Sequence, residues 1–132
     1  IAGGASHTSE YAASLKEQAK SNKNIIFTGF VQGAELEELY SNAYIYCLPS
    51  DLEGMPISLL EAMSYGNCCL TSDICECTEV CGKNAVYFKK GDTADLKNKL
   101  EEFLGDSEKV AEYTKYNWDD ITDKTLSIYG RI

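Results

Sequence analysis

The stretch that most constrains this 132-residue chain runs from Tyr44 to Tyr65. Tyr44-Ile45-Tyr46-Cys47-Leu48 is a short apolar run that reads as a buried strand. Pro49 and Gly54 break it and force a loop. Pro56 suits the first turn of a helix, where its missing N–H costs nothing. The helix Ile57 to Tyr65 follows, with Leu59, Leu60 and Met63 as its apolar side. A helix N-terminus offers free N–H groups and partial positive charge, which together favour phosphate. Gly54, without a side chain, lets a ligand approach the backbone. Glu53 lies in the loop, and Glu61 shares a helix face with Ile57, roughly 6 Å along the axis from the helix start. A phosphate at the helix start and a sugar hydroxyl at Glu61 are therefore compatible, with Glu53 able to reach a group beyond the far phosphate. Taken alone, two glutamates among 21 acidic residues read as surface charge.

The rest of the chain alternates short strands with helices. Ile1-Ala2 reads as the end of a strand and Gly3 to His7 as a turn. A helix from Thr8 or Ser9 to about Lys20 is expected, then a strand over Asn24 to Thr28, a loop Gly29 to Gly33 and a helix Ala34 to Asn42. After the central unit come a strand within Asn67 to Ser72, a strand Ala85 to Phe88 and an amphipathic helix Thr93 to Leu104. Two further helices, Ser107 to Tyr116 and Trp118 to Tyr129, are capped by Ser107 and Asn117. Asp73 closes a strand at the end where α/β sheets place ligands. Such alternation argues for an α/β domain with a parallel sheet of four or five strands and helices on both faces. Neither a repeat nor an internal linker is evident, and Tyr65 and Met63 read as core.

Net charge is −9, which argues against nucleic acid or an anionic membrane as the main partner. It also opposes a diphosphate, so local geometry must overcome a repulsive field. No apolar run approaches the ~20 residues of a membrane span. Cys47, Cys68 and Cys69 read as core residues. Cys75, Cys77 and Cys81 cluster, but without a paired Cys-x2-Cys or a nearby histidine they make a poor zinc set. Free thiols in a reducing cytoplasm fit this usage best. The Gly3-Gly4 pair lacks the three-glycine fingerprint of a dinucleotide site, which disfavours an oxidoreductase. His7, the sole histidine, reads as a loop residue.

The segment Glu53 to Glu61 resembles the Glu-x7-Glu motif of family 4 retaining glycosyltransferases of the GT-B type. Phe27 to Val31, Leu39 to Ala43, Pro49-Ser50 and Glu61 to Gly66 are similar to the same family's C-terminal domain, in the same order. The resemblance implies one Rossmann-like half of such an enzyme over residues 1–132. It implies a nucleotide-sugar donor contacted by Glu53 at the sugar, by Gly54, Met55, Pro56, Ile57 and Ser58 at the diphosphate, and by Glu61 at the ribose. Gly29, Phe30 and Val31 would meet the nucleobase, Val31 by packing on the ring. Glu53 would orient the sugar rather than serve as a nucleophile. No metal or cofactor is implied. Partners would be the donor and an N-terminal acceptor domain of a longer chain, through which alone a membrane would be touched. Sugar transfer to a hydroxyl in bacterial polysaccharide or glycolipid biosynthesis is the expected role. Nothing here matches the family's basic pair that neutralises the diphosphate, so this chain alone is expected to be inactive. A non-catalytic nucleotide-binding or sensor module is the alternative.

Overall fold

The computed structural model describes residues 1–4, 9–105 and 118–130. Contacts divide the chain into two compact units, Ile1–Leu39 and Tyr40–Ile132.

In the first unit, the expected strands at Ile1-Ala2 and Asn24 to Thr28 shrink to one parallel bridge, Ala2 to Gly29. It is held by the N–H of Thr28 on the Ile1 carbonyl (3.0 Å) and the N–H of Gly3 on the Gly29 carbonyl (2.8 Å). The reason is local competition. Asn22 draws the N–H of Asn24 to its side chain and that of Ile25 to its carbonyl, so a turn uses amides that a ladder needs. Ile25 and Ile26 are exposed. Helix α1 spans Ser9–Ala19 and α2 spans Ala34–Ser41, which starts here and runs across the boundary. Gly33, at φ +60°, turns the chain into α2, and its carbonyl takes the N–H groups of Leu36 and Glu37. Residues 5–8, with His7 and Thr8 among them, lie outside the described residues.

The second unit carries β1 (Tyr46–Leu48), α3 (Ile57–Ser64), β2 (Cys69–Ser72), α4 (Cys75–Cys81), β3 (Val86–Phe88), α5 (Thr93–Gly105) and α6 (Trp118–Tyr129). The sheet is three-stranded, in order β1-β2-β3, and wholly parallel. Register pairs Tyr46 with Cys69 and Leu70 with Val86. All four residues of central β2 are buried, the pattern of a parallel strand covered on both sides. Leu70 packs on Phe88 and Phe103, with Val86, Leu96 and Leu100 around them, so α5 covers that face. On the other face Cys69 lies near Cys81 and Thr71 meets Cys77, bringing in α4. Met63 of α3 touches Cys81 sulfur to sulfur at 3.5 Å, and Leu59 and Ala62 are fully buried beside it. Burying a leucine such as Leu59 contributes about 2–3 kcal/mol. Asp92 starts α5 by accepting the N–H groups of Ala94 and Asp95.

Several expectations change. Among the described residues the sheet has three strands, not four or five. Ile74 to Cys81 holds a helix that the sequence reading missed, and burial of Cys77 and Cys81 pins it to the sheet. Cys47 is exposed and Cys68 half-buried, so only Cys69 of that trio is core. Tyr65 is 44% exposed, whereas Met63 is core as expected. No disulfide joins the six cysteines. The Ser107 to Tyr116 helix and both caps, Ser107 and Asn117, lie outside the described residues.

Candidate functional site

The site is built where β1 ends. The chain leaves Leu48, passes the loop through Glu53 and Gly54, and enters α3 at Ile57. Pro56 is buried and takes the N-cap position at φ −76°, ψ 76°, just outside the helix rather than in its first turn. With no N–H of its own, it offers its carbonyl to the N–H groups of Leu59 (3.0 Å) and Leu60 (3.2 Å). Ile57 turns its N–H back to the Met55 carbonyl at 2.8 Å. The helix start is thus less open than expected, which narrows its donors to Ser58. Gly54 faces open space, since a Cβ built there meets nothing within 4 Å. Leu52, Met55 and Ile57 stand 80, 68 and 63% exposed around it.

Both carboxylates are tied to the scaffold. Glu53 is half-buried, and its Oε1 accepts the Ser50 hydroxyl at 2.6 Å. The Ser50 carbonyl in turn accepts the hydroxyl of Ser72, buried at the end of β2. Glu61 is exposed, and its Oε2 accepts the Tyr40 hydroxyl at 3.0 Å. The same hydroxyl lies 3.2 Å from the Ser58 carbonyl. Tyr46 donates to Ser58 Oγ at 2.8 Å. Burial, and then the Glu61 carboxylate beside it, push the Tyr40 hydroxyl far above its ordinary pKa. Burial also raises that of Tyr46, with the Ser58 bond opposing. Both tyrosines therefore stay protonated and act as donors at neutral pH. The charges of Glu53 and Glu61 both add to the rise of the Tyr46 hydroxyl.

Chemically, this end presents two carboxylate acceptors, one serine donor and an open backbone at Gly54. That set suits a ligand carrying several hydroxyls. Asp73, singled out by its position, instead accepts the Lys90 N–H at 2.8 Å and fastens the loop after β2 to the loop after β3. Gly29, Phe30 and Val31 belong to the first unit. Gly29 has φ +73°, Phe30 is 76% exposed and Val31 half-buried. Sequence reasoning missed Tyr40, Tyr46, Ser50 and Ser72. The available signal was a hydroxyl where phenylalanine would pack as well, since buried tyrosines find a partner for it.

Comparison with known proteins agrees with this geometry. Residues 1–119 match the family described as glycosyl transferases group 1. An uncharacterised glycosyltransferase of Methanocaldococcus jannaschii is 28% identical over 98% of this chain and 36% of its own length. The sulfoquinovosyl transferase SQD2 of Arabidopsis thaliana is 32% identical over 75% of this chain, but 22% of its own. The chain thus spans about a third or less of these relatives. Among solved structures, sucrose-phosphate synthase of Thermosynechococcus elongatus superposes with TM-score 0.79 over 98% of this chain and 37% of its own, at 18% identity. Anabaena HepE, crystallised with UDP and glucose, superposes at 0.73 over 83% of this chain and 31% of its own, at 21% identity.

Proposed function

The chain belongs to the glycosyl transferases group 1 family, and on that premise we propose that it is the donor-binding domain of a two-domain, retaining glycosyltransferase of the GT-B type, family 4. The donor is a nucleoside diphosphate sugar, and the glycosyl group passes to a hydroxyl of a growing polysaccharide or glycolipid in a bacterial cytoplasm. The observation that carries this reading is that Glu53 and Gly54 lie on the loop that leaves the C-terminal end of β1, and Ser58 and Glu61 on the first turns of the helix it enters. Open α/β sheets bind ligands at that end.

In this reading Glu61 accepts hydrogen bonds from the ribose hydroxyls. Ser58, with its oxygen already engaged by Tyr46, directs its own proton and its N–H to the diphosphate. Met55 and Ile57 close apolar surface over the bound donor. Glu53 accepts a hydroxyl of the transferred sugar and holds it in one orientation, and it forms no bond to the anomeric carbon. Charge that develops on the departing diphosphate is met by preorganised donors. Gly29, Phe30 and Val31 receive the nucleobase. Acceptor binding comes from a further domain and the basic groups that balance the diphosphate from segments outside these 132 residues, so this chain alone is inactive.

The test is a transfer assay of the full-length protein with UDP-, GDP-, dTDP- and ADP-sugars. One donor is expected to support transfer, and Glu53→Gln to remove most of it. Tight nucleotide binding with no transfer to any acceptor would favour a sensor module instead.

A further inference from the structure

We propose that Tyr40 is a positioning residue for the donor: its hydroxyl fixes the Glu61 carboxylate in the orientation that meets the nucleotide's ribose. The inference rests on the reading of Glu61 as a ribose ligand. Tyr40 is 8% exposed and comes from α2, whereas Glu61 lies exposed on α3. An exposed glutamate ordinarily moves among several rotamers, and pairing with two vicinal hydroxyls requires one of them. Tyr40 selects it. Its ring is immobilised by stacking on Tyr65 (centroids 5.4 Å apart, planes 21°) and by a tilted contact with Tyr46 at 6.0 Å. Its single proton faces two acceptors, the Ser58 carbonyl and Glu61 Oε2. The charged oxygen is the stronger acceptor, so the proton goes to Glu61. That bond takes one lone pair of Oε2 and leaves Oε1 entirely for the ligand. Burial keeps the hydroxyl protonated, so it donates throughout the neutral range.

A tyrosine that merely joins α2 to α3 would show the same contacts, so the test must read the ribose. Calorimetry on the full-length protein would use whichever of UDP, GDP, CDP or ADP binds, and its 2′,3′-dideoxy analogue. Tyr40→Phe keeps the ring and its stack and removes only the hydroxyl. It is expected to weaken the ribonucleotide about 10-fold, the lower end of the range for one hydrogen bond to a charged group, and to leave the dideoxy analogue unchanged. In a Glu61→Ala background, Tyr40→Phe should add nothing. Comparing two ligands on one variant cancels any general loss of folded protein. Unchanged ribonucleotide affinity in Tyr40→Phe, equal weakening of both ligands, or additive effects in the double variant would overturn the role of Tyr40 while leaving a weakened Glu61→Ala to support the ribose site. No effect of Glu61→Ala on the ribonucleotide would overturn both.

Discussion

Ser50 offers a test of how Glu53 is held. Its hydroxyl donates to Glu53 Oε1 at 2.6 Å, and its carbonyl separately accepts from Ser72. Ser50→Ala removes the first bond and keeps the second, so the loop stays anchored to β2 while Glu53 is released. A hydrogen bond to a charged group is worth about 1.5–3 kcal/mol. Glu53 is only half-buried, so water replaces part of that and the lower end, about 1.5 kcal/mol, applies. This corresponds to about a tenfold fall in kcat/KM for the donor in the full-length enzyme. The same bond is present in the free folded protein, so stability in urea should also fall, by no more than about 1.5 kcal/mol, and kcat/KM is compared under conditions where both proteins are fully folded. Ser72→Ala is the counterpart: it frees the Ser50 carbonyl and should lower stability as well, by about 1 kcal/mol. An unchanged kcat/KM in Ser50→Ala would refute the argument that this hydroxyl presents Glu53. A loss fully explained by unfolding would refute it equally.

Three further outcomes are expected. Leu70→Ala, in the fully buried centre of β2 against Phe88 and Phe103, should cost about 3–4 kcal/mol in urea unfolding; a cost under about 1 kcal/mol would mean that this is not the core. Burial holds the Cys69 thiol up at about 12 and Cys81 at about 11, against an ordinary 9.0. The unfolded thiols ionise first, so stability is full below pH 9 and falls above it, by up to about 1.4 kcal/mol per pH unit for each thiol. A urea midpoint that is flat from pH 8 to 11, or equally steep after Cys69→Ala, would contradict this. Exposed Cys47 should react with a thiol reagent in the folded protein, while buried Cys69, Cys77 and Cys81 react only on unfolding, when all six titrate.

The unit from Tyr44 to Tyr65 was legible because its punctuation is strong. Pro49, Gly54 and Pro56 bound the loop, and Leu59 and Met63 mark one helix face, so α3 was placed to within a residue of its observed end at Ser64. The amphipathic α5 was legible for the same reason, with Leu96, Leu100 and Phe103 at helical spacing. Helix α4 was not, because Cys75–Cys81 is under two turns long and carries weak helix formers, and contact with Met63 decides its shape. The strand at Asn24 to Thr28 was overcalled because β-branched residues were present where the local turn at Asn22 took the amides. At the site, the glutamates were found from spacing and resemblance. Their holders were not, because Tyr40 reaches Glu61 across 21 residues and Ser72 reaches Ser50 across 22. Pairings of that range leave no periodic trace.

The central claim is where the nucleotide sits. The most direct measurement is a titration of the isotope-labelled full-length protein with the nucleoside diphosphate it binds, followed by backbone amide shifts. The account predicts the largest changes at Gly54, Met55, Ile57, Ser58 and Glu61, with little change along α5 from Asp95 to Leu100. Largest changes on α5 or α6, with Gly54 to Glu61 unmoved, would contradict it.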